Sequence, residues 1–295
     1  MTIPLNVFFS IDQNYIQHFT VAATSLLENN KDIAFRIFVI NNIADKQRLE
    51  VPYTYFKDRY GVALEFVDIS HVDFSRFTTN THYTSATYYR LFLAELLPQD
   101  VNDGMVLDSD LIVAGSVREL AAINIEDSLI YAADEAFVAD NLVRFAKIGI
   151  ELNSYFNAGV LLVNIKAWRK AGLTAEFLKV ADNYMEKLSW YDQDILNIYF
   201  KDSRKAFDKK YNAVHLSKQL SQVPVIVHYA SVSKPWFYVD THPYNYLYWK
   251  YLKMTPFKNN RPVGFSFRNA ILKNGRLVKR RMRKLGLIKT FLIQF

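Results

Sequence analysis

Short apolar runs alternate with amphipathic segments through the first part of the chain. Residues 5–12 (LNVFFSID) read as a strand, and residues 15–28 carry Phe19, Ala22, Ala23 and Leu26 on one helical face. Residues 34–42 (AFRIFVINN) read as a second strand, 45–60 as a helix, and 63–70 (ALEFVDIS) as a third strand. Strand and helix in this order predict a largely parallel sheet flanked by helices, with ligand sites beyond the carboxyl ends of the strands. Asp12, Asp68 and the pair Asp108 and Asp110 all fall near such ends. Further on, 105–107, 155–165 and 223–230 read as strands and 165–188 and 192–200 as helices. Residues 238–257 are dense in Tyr and Trp, which suits either packing or a platform for sugar rings.

With 295 residues, 51% of them hydrophobic, the chain has enough apolar material for a sizeable core. It contains no cysteine, which excludes disulfides, thiolate zinc sites and a cysteine nucleophile. The first residues lack the basic segment of a signal peptide, and no apolar stretch has the length of a spanning helix. The net charge of +7 is a property of the end of the chain. Residues 261–295 hold ten of the 36 Lys and Arg and no acid, leaving 26 basic against 29 acidic residues before them. Neither a G-x-G-x-x-G nor a G-x-x-x-x-G-K-[ST] fingerprint is present, so a bound phosphate would rely on a metal and on point cations.

Asp108 and Asp110, in MVLDSDLIV, close an apolar run with two carboxylates that repel each other. A polar turn and a metal site are both compatible with them. Asp192 and Asp194 repeat the spacing, so the pair alone decides nothing.

Five segments in order resemble glycosyltransferase family 8, particularly its bacterial lipopolysaccharide-modifying branch. They are VFFSIDQNY (7–15), YYRLFLAELLP (88–98), MVLDSDLIV (105–113), YFNAGVLLVNI (155–165) with YDQDILN (191–197), and HYASVSKPW (228–236). The resemblance implies an α/β, Rossmann-like nucleotide-diphospho-sugar transferase fold of the GT-A type, with a catalytic domain over 1–257. It implies Asp108, Asp110 and His228 as ligands of Mn²⁺ or Mg²⁺, a set that suits these ions. Asp12, Asn14 and Tyr15 match residues that hold the nucleoside, and Lys234 matches the diphosphate lysine. Ser231 stands where the family usually has glycine. Arg90, Asp134, Asn157, Ala158 and Asp192 match positions around the donor sugar. The implied activity is transfer of galactose or glucose from a UDP-sugar to a hydroxyl of a lipid-linked saccharide, with retention. A capsular or protein-bound acceptor, or a binding protein without turnover, are the alternatives. Retention by double displacement needs a nucleophile, and Gln193, at the matching position, is a poor one. A front-face route through an ion pair is therefore preferred, with Asp192 the remaining carboxylate candidate.

In the last segment, Val278, Met282, Leu285, Ile288, Leu292 and Phe295 recur at helical spacing among Arg276, Lys279, Arg280, Arg281, Arg283 and Lys284. A basic amphipathic helix of this kind lies on an anionic membrane surface. Residues 258–295 are thus expected to attach a cytoplasmic enzyme to the inner face of the cytoplasmic membrane. The apolar stripe and the slightly acidic body argue against nucleic acid as the partner.

Overall fold

The computed structural model describes residues 4–75, 77, 84–135, 142–151, 155–231 and 233–284. The first third is the expected alternation of β1 (Leu5–Ile11), α1 (Ile16–Glu28), β2 (Phe35–Asn41), α2 (Gln47–Tyr60) and β3 (Leu64–Asp68). A 3₁₀ segment, Ser85–Phe92, and the short α3 (Leu93–Leu96) lead into β4 (Gly104–Leu107). Then follow β5 (Leu111–Val113), α4 (Arg118–Ala121), β6 (Ile130–Asp134), α5 (Leu142–Lys147) and β7 (Phe156–Val163). The remainder comprises α6 (Ile165–Ala171), α7 (Leu173–Tyr184), α8 (Tyr191–Phe200), β8 (Lys205–Ala206), β9 (Ile226–His228), α9 (Asn245–Leu252) and α10 (Phe267–Lys284).

The strands form a seven-stranded sheet in the order β3-β2-β1-β4-β7-β6-β8 and a separate pair, β5-β9. From β3 to β4 all pairings are parallel, and β8 is parallel to β6. β7 runs antiparallel to both its neighbours, so the largely parallel sheet is reversed at one strand next to the site. Successive side chains point to opposite faces, as a pleated strand requires. Phe8 joins the core beneath α6, α7 and α8 with Trp168, Phe177 and Phe200. Val7 and Phe9 join the core beneath α1 and α2 with Phe19, Leu26 and Phe56.

Three sequence expectations change in detail. The helix expected over 165–188 breaks at Gly172, whose φ of 61° both ends α6 and precedes α7. Such left-handed backbone is where a side chain would be strained. The strand expected over 223–230 forms only at 226–228. The aromatic run serves largely as packing: Tyr244, Tyr248 and Tyr251 are buried, and the Tyr251 hydroxyl receives a 2.7 Å hydrogen bond from Asn29 at the end of α1.

Trp168 is fully buried, stacks on Phe200 and donates its indole N–H to the Leu129 carbonyl at 2.8 Å. Trp168→Ala should cost about 3–5 kcal/mol of stability, read by urea denaturation.

Candidate active site

β4 ends at Leu107, and the chain turns through Asp108, Ser109 and Asp110 into β5. Two backbone pairings bring distant segments onto this turn. The Asp108 N–H donates to the Gly159 carbonyl at 2.8 Å, beside the β4–β7 ladder. β5 pairs antiparallel with β9, which sets Leu111 opposite His228, and the Tyr229 N–H donates to the Asp110 carbonyl at 2.9 Å. His228 Nε2 consequently lies 3.2 Å from Asp110 Oδ1 and 3.6 Å from Asp108 Oδ2.

These three side chains offer ligand atoms within 4.8 Å of one another, a spacing that fits a divalent cation with oxygen and imidazole donors. Their support fits as well. Asn212 donates its amide N–H to Asn157 Oδ1 at 3.0 Å, so its own Oδ1 faces His228 Nδ1, at 2.9 Å. Nδ1 carries the proton there, and Nε2 is turned to the carboxylates. Gly159 makes room for the imidazole: a Cβ at that position would lie 2.1 Å from His228 Cε1 and 2.8 Å from Asp108 Oδ2. The Asp192/Asp194 pair is different in kind. Asp194 accepts from the Ser189 and Trp190 N–H groups at 2.7 and 2.8 Å and from the Tyr155 hydroxyl, at the start of α8. It is a helix-terminal acceptor.

Positive charge surrounds the acids. Arg90 is buried, donates to Asp108 Oδ1 at 2.5 Å and to the Ala158 carbonyl, and sets its Nε 2.9 Å from Asp192 Oδ2. That last contact is an ion pair without hydrogen-bond alignment, and Arg90 Nε and Ser109 Oγ are two of the three buried side-chain atoms lacking a partner among the described residues. Lys234 donates to Asp110 Oδ2 and to the Tyr229 carbonyl at 2.8 Å. Burial opposes the Asp110 charge, but Lys234 and His228 outweigh it and hold the carboxyl well below the usual range. For Arg90, burial is outweighed by Asp108 and Asp192, so the guanidinium stays charged. Asp192 goes the other way from Asp110. Burial pushes it up to about 7 against the pull of Arg90, with Asp108 adding to the rise. Arg90 and Asp192 are thus both shifted upward, which keeps Arg90 charged and opposes the charge on Asp192, because Arg90 divides its charge between two acids while the desolvation of Asp192 falls on one group.

The cluster joins two compartments. The outer cleft is lined by Asp12, Asn14, Tyr15, His18, Ser231 and Lys234. The inner one is lined by Glu135, Asn157, Ala158, Asp192, Gln193 and His215. Arg90, Asp108 and Asp110 belong to both. Asp12 accepts from the Asn14 N–H at 2.7 Å and from the Thr84 hydroxyl at 2.9 Å. Ser231 donates its N–H to the Tyr229 carbonyl and its hydroxyl to the Ser233 carbonyl. Gln193 accepts from the Ala158 N–H at 3.0 Å and donates to Glu135 at 3.2 Å.

A family model, Glycosyl transferase family 8, matches residues 6–240. The chain belongs to glycosyltransferase family 8. Lipopolysaccharide 1,2-glucosyltransferase of Escherichia coli is 27% identical over 248 residues, covering 78% of this chain and 73% of that protein. Glycosyltransferase GlyF of Streptococcus pneumoniae serotype 4 is 28% identical, over 83% of this chain but only 61% of its own length. Galactosyltransferase LgtC, solved in complex with donor and acceptor sugar analogues, superposes with a TM-score of 0.78 at 25% identity, over 85% of this chain and 96% of that one. The fold is accordingly of the GT-A type, and this family 8 enzyme is a metal-dependent glycosyltransferase that uses a nucleotide sugar.

The structure places one expected residue away from the enzyme's inner pocket and supplies another. Asp134 pairs with Arg204 at 2.6 Å, whereas Glu135 is buried and bonds His215 at 2.7 Å as well as Gln193. The β6–β7 register slips between Ala132 and Asp134, and such a slip changes which side chain faces a given side. Glu135 could be read only as Asp134's neighbour, and no spacing rule ties Gly159 or Asn212 to His228. Both Tyr191 and His215, beside the inner pocket, have left-handed backbone with φ of 45° and 54°. Conformations of this kind concentrate at functional sites.

Gly159→Ala should weaken Mn²⁺ binding about 10- to 100-fold in calorimetry, because the Cβ would displace His228 and Asp108, two of the three candidate ligands. A second expectation concerns pH. The Asp192 pKa is raised from 3.8 to about 7 on folding, so its contribution is fully present below 3.8 and is lost as pH rises through 7. Melting curves in metal-free buffer should show wild type losing stability relative to Asp192→Asn across that interval.

Proposed function

We propose that this enzyme transfers galactose or glucose from UDP-hexose to a hydroxyl of a lipid-linked saccharide, with retention of anomeric configuration. The observation that carries the reading is the position of the Asp108, Asp110 and His228 cluster at the junction of the two compartments. The outer cleft suits a nucleoside diphosphate, with the Asp12–Asn14 turn and Tyr15 for the nucleoside and Lys234 for phosphate charge. The inner compartment suits the hexosyl group, with Arg90, Asn157, Ala158, Asp192 and Gln193 around it. Asp108, Asp110 and His228 would hold Mn²⁺ or Mg²⁺, which when bound would supply Lewis-acid stabilisation of the diphosphate leaving group.

The chain's own residues favour front-face substitution. Gln193 has no ionisable oxygen, and its amide is committed to Ala158 and Glu135. Asp192 is paired with Arg90, and burial raises its pKa to about 7, so much of it is protonated at neutral pH. Neither is a well-prepared nucleophile. Arg90 orients the sugar side by linking Asp108, Asp192 and the Ala158 carbonyl in one rigid fork.

A lipid-linked acceptor is supported by two relatives, lipopolysaccharide 1,2-glucosyltransferase and lipopolysaccharide 1,3-galactosyltransferase, and by the end of this chain. α10 leaves Phe267, Ile271 and Val278 exposed, and Phe265 just before it as well, among basic residues. Leu285, Ile288, Leu292 and Phe295 of the expected stripe lie outside the described residues. No described helix is long and apolar enough to cross a membrane. Attachment of 258–295 to an anionic surface at the cytoplasmic face is the reading this pattern supports.

UDP release from UDP-glucose and UDP-galactose without acceptor tests the chemistry. Release should need Mn²⁺ or Mg²⁺, stop with EDTA, and fall at least about 100-fold in Asp108→Ala and Asp110→Ala. Equal release in EDTA would overturn it. Deleting 261–295 should leave this hydrolysis intact and abolish sedimentation with anionic liposomes. Unchanged sedimentation would overturn the membrane role.

A further inference from the structure

His18, on α1, is buried at the wall of the outer cleft, and the family resemblance gives it no role. Its ring lies flat against Trp236, with centroids 3.5 Å apart and planes 15° from parallel. Trp236 is two residues beyond Lys234, which puts the imidazole at the Lys234 end of the cleft.

With the Asn260 and Gln17 amides in their placed orientations, the hydrogen bonds select one tautomer. Asn260 donates to Gln17 Oε1 at 2.5 Å, so the other end of the Gln17 amide is its NH₂ group. That group donates to the Tyr248 hydroxyl at 2.8 Å. With its oxygen already accepting, Tyr248 directs its proton to His18 Nδ1, also at 2.8 Å. The hydrogen of a neutral ring is then on Nε2, which makes no hydrogen bond among the described residues and retains access to the cleft. Burial lowers the pKa of His18 to about 3, against the pull of Asp110 and with help from Lys234, so the ring is neutral at working pH. Neutrality matters, since an imidazolium would repel Lys234 and compete for Asp110.

We propose that His18 Nε2–H donates a hydrogen bond to a phosphate oxygen of the bound nucleoside diphosphate. The proposal rests on the donor reading above. α1 would thereby add an uncharged, pre-oriented donor at the Lys234 end of the cleft, its ring plane set by Trp236 and its tautomer by Tyr248.

Calorimetry with UDP and with uridine, both in Mn²⁺, tests it on wild type, His18→Phe, His18→Gln and His18→Asn, with folding checked by melting. His18→Phe keeps a ring against Trp236 and should lose about tenfold in UDP affinity with uridine affinity unchanged. Glutamine places an N–H at the Nε2 position and should recover most of the loss, whereas asparagine is too short to do so. If His18→Phe does not fold, the Gln and Asn variants decide. Equal UDP affinity in those two, unchanged UDP affinity in His18→Phe, or a parallel loss for uridine would overturn the assignment. Failure of wild type to bind UDP would overturn the donor reading itself, and this contact with it.

Discussion

Asp108, Asp110 and Asp192 are held around one site in which Asp110 and Asp192 are buried, and like charges so placed are tolerable only if positive charge is brought to them. The enzyme brings it from two separate parts of the chain, Arg90 from the 3₁₀ segment and Lys234 from the loop after β9, while His228 at the end of β9 adds an imidazole. Each of the three is itself fixed by a backbone or side-chain acceptor: the Ala158 carbonyl for Arg90, the Tyr229 carbonyl for Lys234 and Asn212 Oδ1 for His228. A divalent cation at Asp108 and Asp110 would meet the same electrostatic demand.

Convergence depends on two antiparallel pairings set into a mostly parallel sheet. Parallel strands end together at one edge, which puts Asp12 and Asp108 on the same side of the molecule. Reversed β7 then runs past β4 and lays Asn157, Ala158 and Gly159 against the Asp108 turn. The β5–β9 pair returns His228 to Asp110. At the crossing, backbone and imidazole approach so closely that only glycine fits at 159. Packing and coordination are therefore one constraint at that position.

On the proposed reading, division of the site into an outer and an inner compartment separates nucleotide binding from chemistry. The outer wall borrows rigidity from a further apolar cluster, in which Trp236, Tyr244 and Tyr248 pack against α1. The inner compartment is a hydrogen-bonded network of Asn157, Gln193, Glu135, His215 and Asn212, whose members orient one another. A retaining transfer without a ready nucleophile needs such fixed polar groups around an ion pair more than it needs a reactive side chain.

Much of this was legible in the sequence. Alternating apolar runs predicted the strands and helices of the first third because burial on a sheet or helix face has a fixed period. Five motifs in order pointed to the family and to Asp108, Asp110 and His228. What they could not decide was which of two adjacent acids faces the pocket, since the β6–β7 slip that turns Glu135 inward is set by pairing with a remote strand. Nor could D-x-D spacing separate Asp108 and Asp110 from Asp192 and Asp194. In the folded chain Asp194 serves the start of α8 and Asp192 faces Arg90, because helix position and burial, not spacing, determine what a carboxylate meets. His18 read as part of a helix, and only the tertiary contacts with Trp236 and Tyr248 give its ring a direction. Local periodicity determined the elements. Partners distant in sequence determined the chemistry of each side chain.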